Sequence, residues 1–443
     1  MKFAPFVFVE QPQRSIGSLM VNKLLTSASE SREIPIRTHV DVLVAGGGPA
    51  GFAAALCAAR AGAKTLLVER YGYLGGMMTG ARIVAVMAVG DGTRPVARGV
   101  VEDIRQELHR FGGVNRERPD GDYCVDAEIF KWRAAEMLLA SGAEMLLHTL
   151  ACGPILADDR VRGVFTESKN GRGAIGARVV IDCTADGDIA FRAGAACTNR
   201  THRVTLVVFL QGVDRERERQ FAESDPERHK AVTEEAKRLN GGFLPAGRSM
   251  QEIDITDAAA LTHAEIVMRR GCFEALNYLR AHMPGWEHAS VAETCPQLGV
   301  RQSRLIEGLY TLTRQDIGSN RRFEDAIARL GKGYDIPYRS LVPKGLRGLL
   351  AAGRCISCDY EAADILRLIA PCLVTGQAAG VAAALATQRG IDPDDLPADA
   401  LCAALIRQNA YLGGADDREQ EATGSVPDPE AAGMQKEDTA ARH

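Results

Sequence analysis

The chemistry this chain could do is set first by three glycines. They stand in the run Asp41-Val-Leu-Val-Ala-Gly46-Gly-Gly48-Pro49-Ala50-Gly51, and their G-x-G-x-x-G spacing suits a dinucleotide. Gly46 would make the tight turn, Gly48 would let the backbone approach a pyrophosphate, and Gly51 would let helix and strand pack closely. The N–H groups opening the following helix would face the anion with the positive end of its dipole. Glu69 stands 18 residues past Gly51, close to the spacing at which a carboxylate grips the ribose 2′-hydroxyl of an adenosine. Beyond it lies the loop Arg70-Tyr-Gly-Tyr-Leu-Gly75-Gly76-Met-Met-Thr79-Gly80, whose bare backbone could lie against the same ligand.

These residues need a buried strand before them and a helix after them. Residues 42–45 are all apolar, the pattern of a parallel strand covered on both faces. An Ala-rich helix then runs to a stop at Gly62, and residues 64–68 form a second strand ending at Glu69. Helical periodicity covers 101–111 and 127–141. Strands are expected over 144–148, 161–167 and 176–181, the last two joined by a hairpin at 169–173. That hairpin runs into a second small-residue loop, Asp182-Cys-Thr184-Ala185-Asp186-Gly-Asp188.

Residues 195–340 change character: a strand over 205–210, a charge-rich solvated helical stretch over 214–240, a helix over 271–282, and no second glycine fingerprint. The first style returns where a buried strand from Gly348 ends at Gly353. A long Ala-rich helix starts at Ala370, with Pro371 in its first turn, and runs to about Arg389. The expected fold is α/β: a Rossmann-like dinucleotide-binding domain with a parallel central sheet and a β-hairpin or meander, over 36–80, 127–194 and 341–412. An inserted α+β substrate domain would occupy 81–126 and 195–340. An N-terminal arm (1–35) and a disordered Asp-, Glu- and Pro-rich tail (413–443) would flank them.

A length of 443 residues allows two or three domains, and a net charge of −4 gives no reason to expect nucleic acid or a membrane surface. The 11 cysteines are odd in number, scattered, and mostly in apolar runs, as reduced, buried thiols of a cytoplasmic protein would be. No spacing marks an iron–sulfur or other metal site. The start is a poor signal peptide, and no uninterrupted apolar stretch of membrane-helix length is expected.

Taken together, the pieces resemble the FAD-dependent oxidoreductases of the glutathione-reductase-like class, over roughly residues 33–412. The resemblance rests on Val-Ala-Gly-Gly-Gly-Pro-Ala-Gly51, Leu-Val-Glu-Arg70-Tyr-Gly-Tyr-Leu-Gly-Gly76, Ile-Asp-Cys-Thr-Ala-Asp-Gly-Asp188, Ile-Pro-Tyr-Arg-Ser-Leu-Val-Pro-Lys344, Ala-Ala-Gly-Arg-Cys-Ile-Ser357 and Thr-Gly-Gln-Ala-Ala-Gly380. It implies noncovalent FAD, with Gly46, Gly48, Pro49, Ala50 and Gly51 on the pyrophosphate and Glu69 on the adenosine ribose, next to Arg70. Gly75, Gly76 and Thr79 would lie towards the flavin, and Thr184, Ala185 and Asp186 would flank the dinucleotide. Gly353 and Arg354 would meet the ribityl phosphate. A helix beginning near Gly376, with Gln377 and Ala378, would point its positive end at the isoalloxazine. Two departures stand out. Cys183 and Ala185 replace the usual Ala and Gly, and Cys358, Asp359 and Tyr360 follow Ser357 where the family commonly carries a histidine.

The activity implied is hydride transfer between the flavin and a small, anionic organic substrate. The alternatives are an FAD monooxygenase using NAD(P)H and O2, or a binding protein that keeps the fold without turnover. A single fingerprint leaves no built-in NAD(P)H domain, so the electron donor or acceptor is external: O2, a quinone, a carrier protein or visiting NAD(P)H. A homo-oligomer is compatible with everything above. Arginine is the natural clamp for a carboxylate, and the candidates are Arg367, Arg301, Arg304 and Arg339. Arg367 leads, because Ile365-Leu-Arg-Leu-Ile-Ala370 sets it between apolar residues just before the flavin-facing helix. Tyr338 and Tyr360 are candidate proton donors. The Cys355-x-x-Cys358 pair reads as two packed thiols rather than a redox dithiol.

Overall fold

The computed structural model describes residues 31, 33–240, 248–249 and 253–413. The expected N-terminal arm and tail lie almost entirely outside the described residues.

Strand β1 (Ile36–Ala45) ends in Val42, Leu43, Val44 and Ala45, none of them exposed. It lies between β2 (Thr65–Val68) and the strand Gly171–Asp182, parallel to both. Glu144–Leu146 extends the parallel sheet beyond β2, and Leu349–Ala351 joins it beside Gly171–Asp182. The Gly171–Asp182 strand does two jobs. Its first half pairs antiparallel with Arg160–Ser168 across a hairpin that closes at Ser168 opposite Gly171, while its last half runs parallel to β1. The hairpin continues into an edge strand, Leu150–Ala157. That strand was not expected from sequence, because Gly153 and Pro154 break the strand pattern. An edge position tolerates both.

Helix α1 (Pro49–Arg60) follows β1 directly and packs on the long helix Ile369–Arg389. The contact is backbone on backbone. A Cβ at Gly376 would lie 2.1 Å from the Ala50 carbonyl oxygen, and one at Gly380 would lie 2.2 Å from that of Ala54. Residues four apart share one helix face, so these two glycines form the seam. The long helix has the length and mean apolarity of a membrane span, although Thr375 and Gln377 interrupt its apolar run, and 94% of its apolar window is buried inside the protein. A core helix packed on every side is apolar all round.

The expected substrate region divides. Residues 204–300 have their own small cores, around Val204, Leu206, Met268 and Leu298 and around Leu276, Leu279 and Trp286. Segments 81–126 and 305–340 pack elsewhere: Val86, Ile104, Leu108 and Tyr123, with Ile327, Leu330 and Ile336, join the main core. The helix expected at 271–282 is the second half of Ala258–His282, started by the Asp257 carboxylate accepting from Ala259 N. The 214–240 stretch forms two helices, Arg215–Ser224 and Pro226–Leu239, broken at Asp225–Pro226.

Candidate active site

A cavity of about 490 Å³ opens where β1, β2 and Gly171–Asp182 end, the edge at which open α/β sheets bind ligands. The glycine turn forms its floor. Gly46 has φ +103°, and a Cβ there would lie 2.4 Å from the Cys183 carbonyl oxygen. A Cβ at Gly51 would lie 1.8 Å from the Gly46 carbonyl oxygen, whereas one at Gly48 would meet nothing within 4 Å. The three jobs expected of the glycines are thus separated in space. Two protect protein contacts, and Gly48 faces open cavity beside Pro49 and Ala50. No side chain caps the N-terminus of α1, so its first N–H groups are free to meet an anion.

Glu69 closes β2 and is 8% exposed. Its Oε2 accepts from Gly47 N at 2.6 Å and its Oε1 from Tyr71 N at 2.9 Å. The carboxylate therefore fixes the glycine turn as well as lining the cavity. Arg70 lies over the Tyr71 ring at 4.7 Å, and Tyr71 stacks on Tyr73 with centroids 5.5 Å apart. Of Gly75, Gly76 and Thr79 in the next loop, Gly76 reaches the cavity. Gly75 and Thr79, expected near the cofactor, hold the loop instead: Gly75 N donates to Gly47 O at 2.8 Å, and Thr79 Oγ1 donates to Leu74 O at 2.6 Å.

The second small-residue loop hangs from Asp182, which is fully buried. One carboxylate oxygen accepts from Thr184 N and Oγ1, the other from Ile189 N and Ala190 N. Thr184, Ala185 and Asp186 line the cavity, and so does Cys183. Ala185 holds φ +70°, a left-handed conformation that costs a non-glycine residue roughly 1–2 kcal/mol. Asp186 receives Arg354 Nη2 at 2.5 Å and the Ser303 hydroxyl at 2.6 Å, while Arg354 Nη1 donates to Ser303 Oγ at 2.8 Å. Gly353 and Arg354 both line the cavity, and Arg354 Nε is buried without a partner.

The other candidates separate. Arg304 lines the cavity but is tied to Asp188 at 2.9 Å. Arg339 pairs with Asp325 at 2.9 Å, outside the lining. Tyr338 is also outside it, with its hydroxyl donating to Pro393 O at 2.8 Å. Tyr360 does not line the cavity either, and its hydroxyl is buried without a partner. Gly376, Gln377 and Ala378 are corrected by the start of their helix. It begins at Ile369, so Leu368, Ile369 and Cys372 reach the cavity, while Gln377 accepts from Val100 N and donates to Gln408 O. A conspicuous Thr-Gly-Gln motif marked helix packing rather than the helix start.

Arg367 lines the cavity from the end of the short helix Tyr360–Leu366, with its side chain 25% exposed. Burial lowers its pKa, Asp364 at 3.4 Å raises it, and nearby Arg301, which is not in the lining, lowers it. Cys183 and Cys372 also line the cavity. Burial pushes the Cys372 thiol up to about 12 and Cys183 well above its ordinary value, so both stay protonated. Cys355 and Cys358 are free, buried and outside the lining, as packed thiols. Two polar residues of the lining, Tyr71 and Gln297, had no expected role. Tyr71 sat unremarked between motif positions, and Gln297, bonded to the Tyr73 hydroxyl at 2.9 Å, comes from a segment with no motif.

A glycine turn feeding a helix N-terminus at the C-terminal edge of a parallel sheet defines a dinucleotide-binding α/β protein. The chain belongs to the FAD dependent oxidoreductase family, whose model matches residues 41–332 and 329–405, and FAD is its cofactor. The site fits that group: Gly48 leaves room for a pyrophosphate, and Arg354 offers a buried, unpartnered N–H. The chain is 32% identical over 173 residues to a digeranylgeranylglycerophospholipid reductase from Methanoculleus marisnigri, covering 36% of this chain and 42% of that one. It is 30% identical over 157 residues to a thiamine thiazole synthase from Methanococcus vannielii, covering 33% and 56%. The matched segment therefore spans less than two thirds of either relative. A geranylgeranyl bacteriochlorophyll reductase-like protein from Thermoplasma acidophilum is structurally similar with a TM-score of 0.41 and 14% identity, over 87% of this chain and 99% of that one.

Proposed function

We propose that this enzyme transfers a hydride between FAD and a small, anionic organic substrate, with an external donor or acceptor completing the cycle. The observation that carries the substrate half is Arg367, a largely buried guanidinium lining the cavity whose ion-pair partner is the 59%-exposed Asp364. A buried cation with so weak a partner favours an anion beside it. Bound FAD supplies the two-electron chemistry, and the chain supplies binding and orientation. Gly48 and the first turn of α1 would hold the pyrophosphate, Glu69 the ribose, Thr184 to Asp186 the dinucleotide flank, and Gly353 with Arg354 the ribityl phosphate. The parallel sheet would form the FAD domain and 204–300 the cover over the substrate. The 11 free cysteines suit a reducing compartment such as the cytoplasm. Anaerobic screening of metabolites for flavin bleaching tests this reading. Bleaching only by neutral compounds would remove the anionic requirement, and NAD(P)H oxidation with stoichiometric oxygen uptake would replace the reading with a monooxygenase.

Two predictions concern the cofactor. FAD is expected to leave the protein completely on acid precipitation. No histidine lines the cavity among the described residues, and both lining thiols are protonated. Colour kept in the pellet would show a covalent link. Glu69→Ala is expected to lose about 1.5–3 kcal/mol of FAD affinity, the usual worth of a hydrogen bond to a charged acceptor. That is roughly tenfold to hundredfold in the dissociation constant. Reconstitution of apoprotein measures it, and an unchanged constant would mean that Glu69 serves only Gly47 and Tyr71.

A further inference from the structure

The cavity wall has an apolar part and a cationic part. The apolar part presents Ile83, Met87, Leu261, Leu298 and Val300, with Met87 still 41% exposed. The charge on that side, Glu265, is neutralised by an ion pair to Arg269, and Gln297 is occupied by the Tyr73 hydroxyl. An apolar surface left open to a cavity gains free energy when a ligand removes it from water.

The cationic part follows within a few residues of the same segment. Val300 lines the cavity, and the guanidinium of Arg301, the next residue, acts on Arg367. Gln302 Nε2 then donates to Asp364 Oδ1 at 2.9 Å and to Tyr360 O at 3.1 Å, docking the segment on the helix that ends at Arg367. Arg301 has no ion-pair partner among the described residues. Asp364 is the acid acting on Arg367, and burial lowers the pKa of His202 beside them. Two guanidinium charges against one carboxylate leave a single positive charge, which matches a monoanion.

Resting on the anionic-substrate reading above, we infer that the substrate is an apolar monocarboxylic acid. Its hydrocarbon or aromatic body lies against Met87, Leu261, Leu298 and Val300, and its carboxylate meets Arg367 with Arg301 behind it.

Binding can be read without turnover, from the change in flavin absorbance as holoprotein is titrated with butanoate, hexanoate and octanoate. Affinity is expected to rise about fourfold per methylene, with hexanoate well ahead of gluconate, its polyhydroxylated six-carbon counterpart, and octanoate at least tenfold ahead of octanol. Met87→Gln, an exposed position, should flatten the chain-length series while FAD content and melting temperature stay unchanged. A flat series, with gluconate equal to hexanoate, would overturn the apolar body and leave the anion site standing. A steep series in which octanol equals octanoate would instead overturn the anionic reading itself. Octyl phosphate binding more tightly than octanoate would replace the carboxylate by a phosphate, and absence of any spectral change across the whole series would remove the inference.

Discussion

Gly51→Ala is expected to give a protein that melts well below the wild type and retains little FAD, whereas Gly48→Ala keeps the wild-type apoprotein melting temperature and still binds FAD poorly. The two glycines lie three positions apart and share one motif, but different atoms surround them. A methyl at Gly51 would sit 1.8 Å from the Gly46 carbonyl oxygen. That neighbour is backbone, so the strand-to-helix turn itself must move. Overpacking of an interior costs typically 1–3 kcal/mol, and a clash with fixed backbone belongs at about 3 kcal/mol or more. At Gly48 the same methyl meets nothing within 4 Å in the protein. Its cost falls on the bound pyrophosphate, roughly tenfold to hundredfold in FAD affinity if the same 1–3 kcal/mol is lost there. Thermal denaturation of apoprotein and FAD titration separate the two effects. Wild-type affinity in Gly48→Ala would move the pyrophosphate away from this turn, and wild-type melting of Gly51→Ala would deny the close contact between strand and helix.

The same contrast shows what the sequence could carry. Turn, strand and helix around Gly46 to Glu69 were legible because each constraint is local: a positive φ, an apolar run, a carboxylate a fixed distance along the chain. Gly376 carried the same residue type with another meaning. A glycine that lets two helices touch and a glycine that opens a helix look alike until the partner, here Ala50, is known. Gly75 and Thr79 fell in the right loop, but their bonds to Gly47 and Leu74 turn them inward. Tyr338 was a candidate from the sequence, and Tyr71 was not. Packing alone buries the first against Pro393 and leaves the second on the cavity wall. The cap residues were the least legible. Met87, Leu261 and the adjacent pair Gln297 and Leu298 come from three separate segments with no shared spacing, brought together only by tertiary structure.

Arg367→Met is expected to leave FAD bound and to weaken an anionic substrate by about 2–5 kcal/mol, the usual loss when one member of a buried charged pair is truncated. The side chain reaches the cavity between the buried residues Leu366 and Ile369, and its contact with Asp364, at 3.4 Å, is a poor hydrogen bond to a largely exposed carboxylate. That pair is worth little by itself, so the fold does not depend on it. Methionine keeps the apolar stem and removes the fork. Arg367→Lys keeps the charge without the two-pronged geometry and should fall between methionine and wild type if the substrate is held in a bidentate manner. Flavin content and substrate-driven flavin reduction, taken on one preparation, read both roles together. Loss of FAD in Arg367→Met would assign the guanidinium to the cofactor, and loss of soluble protein would assign it to the fold. Undiminished reduction with full FAD would take Arg367 out of the site, and the single positive charge it shares with Arg301 would then have no part in holding the substrate.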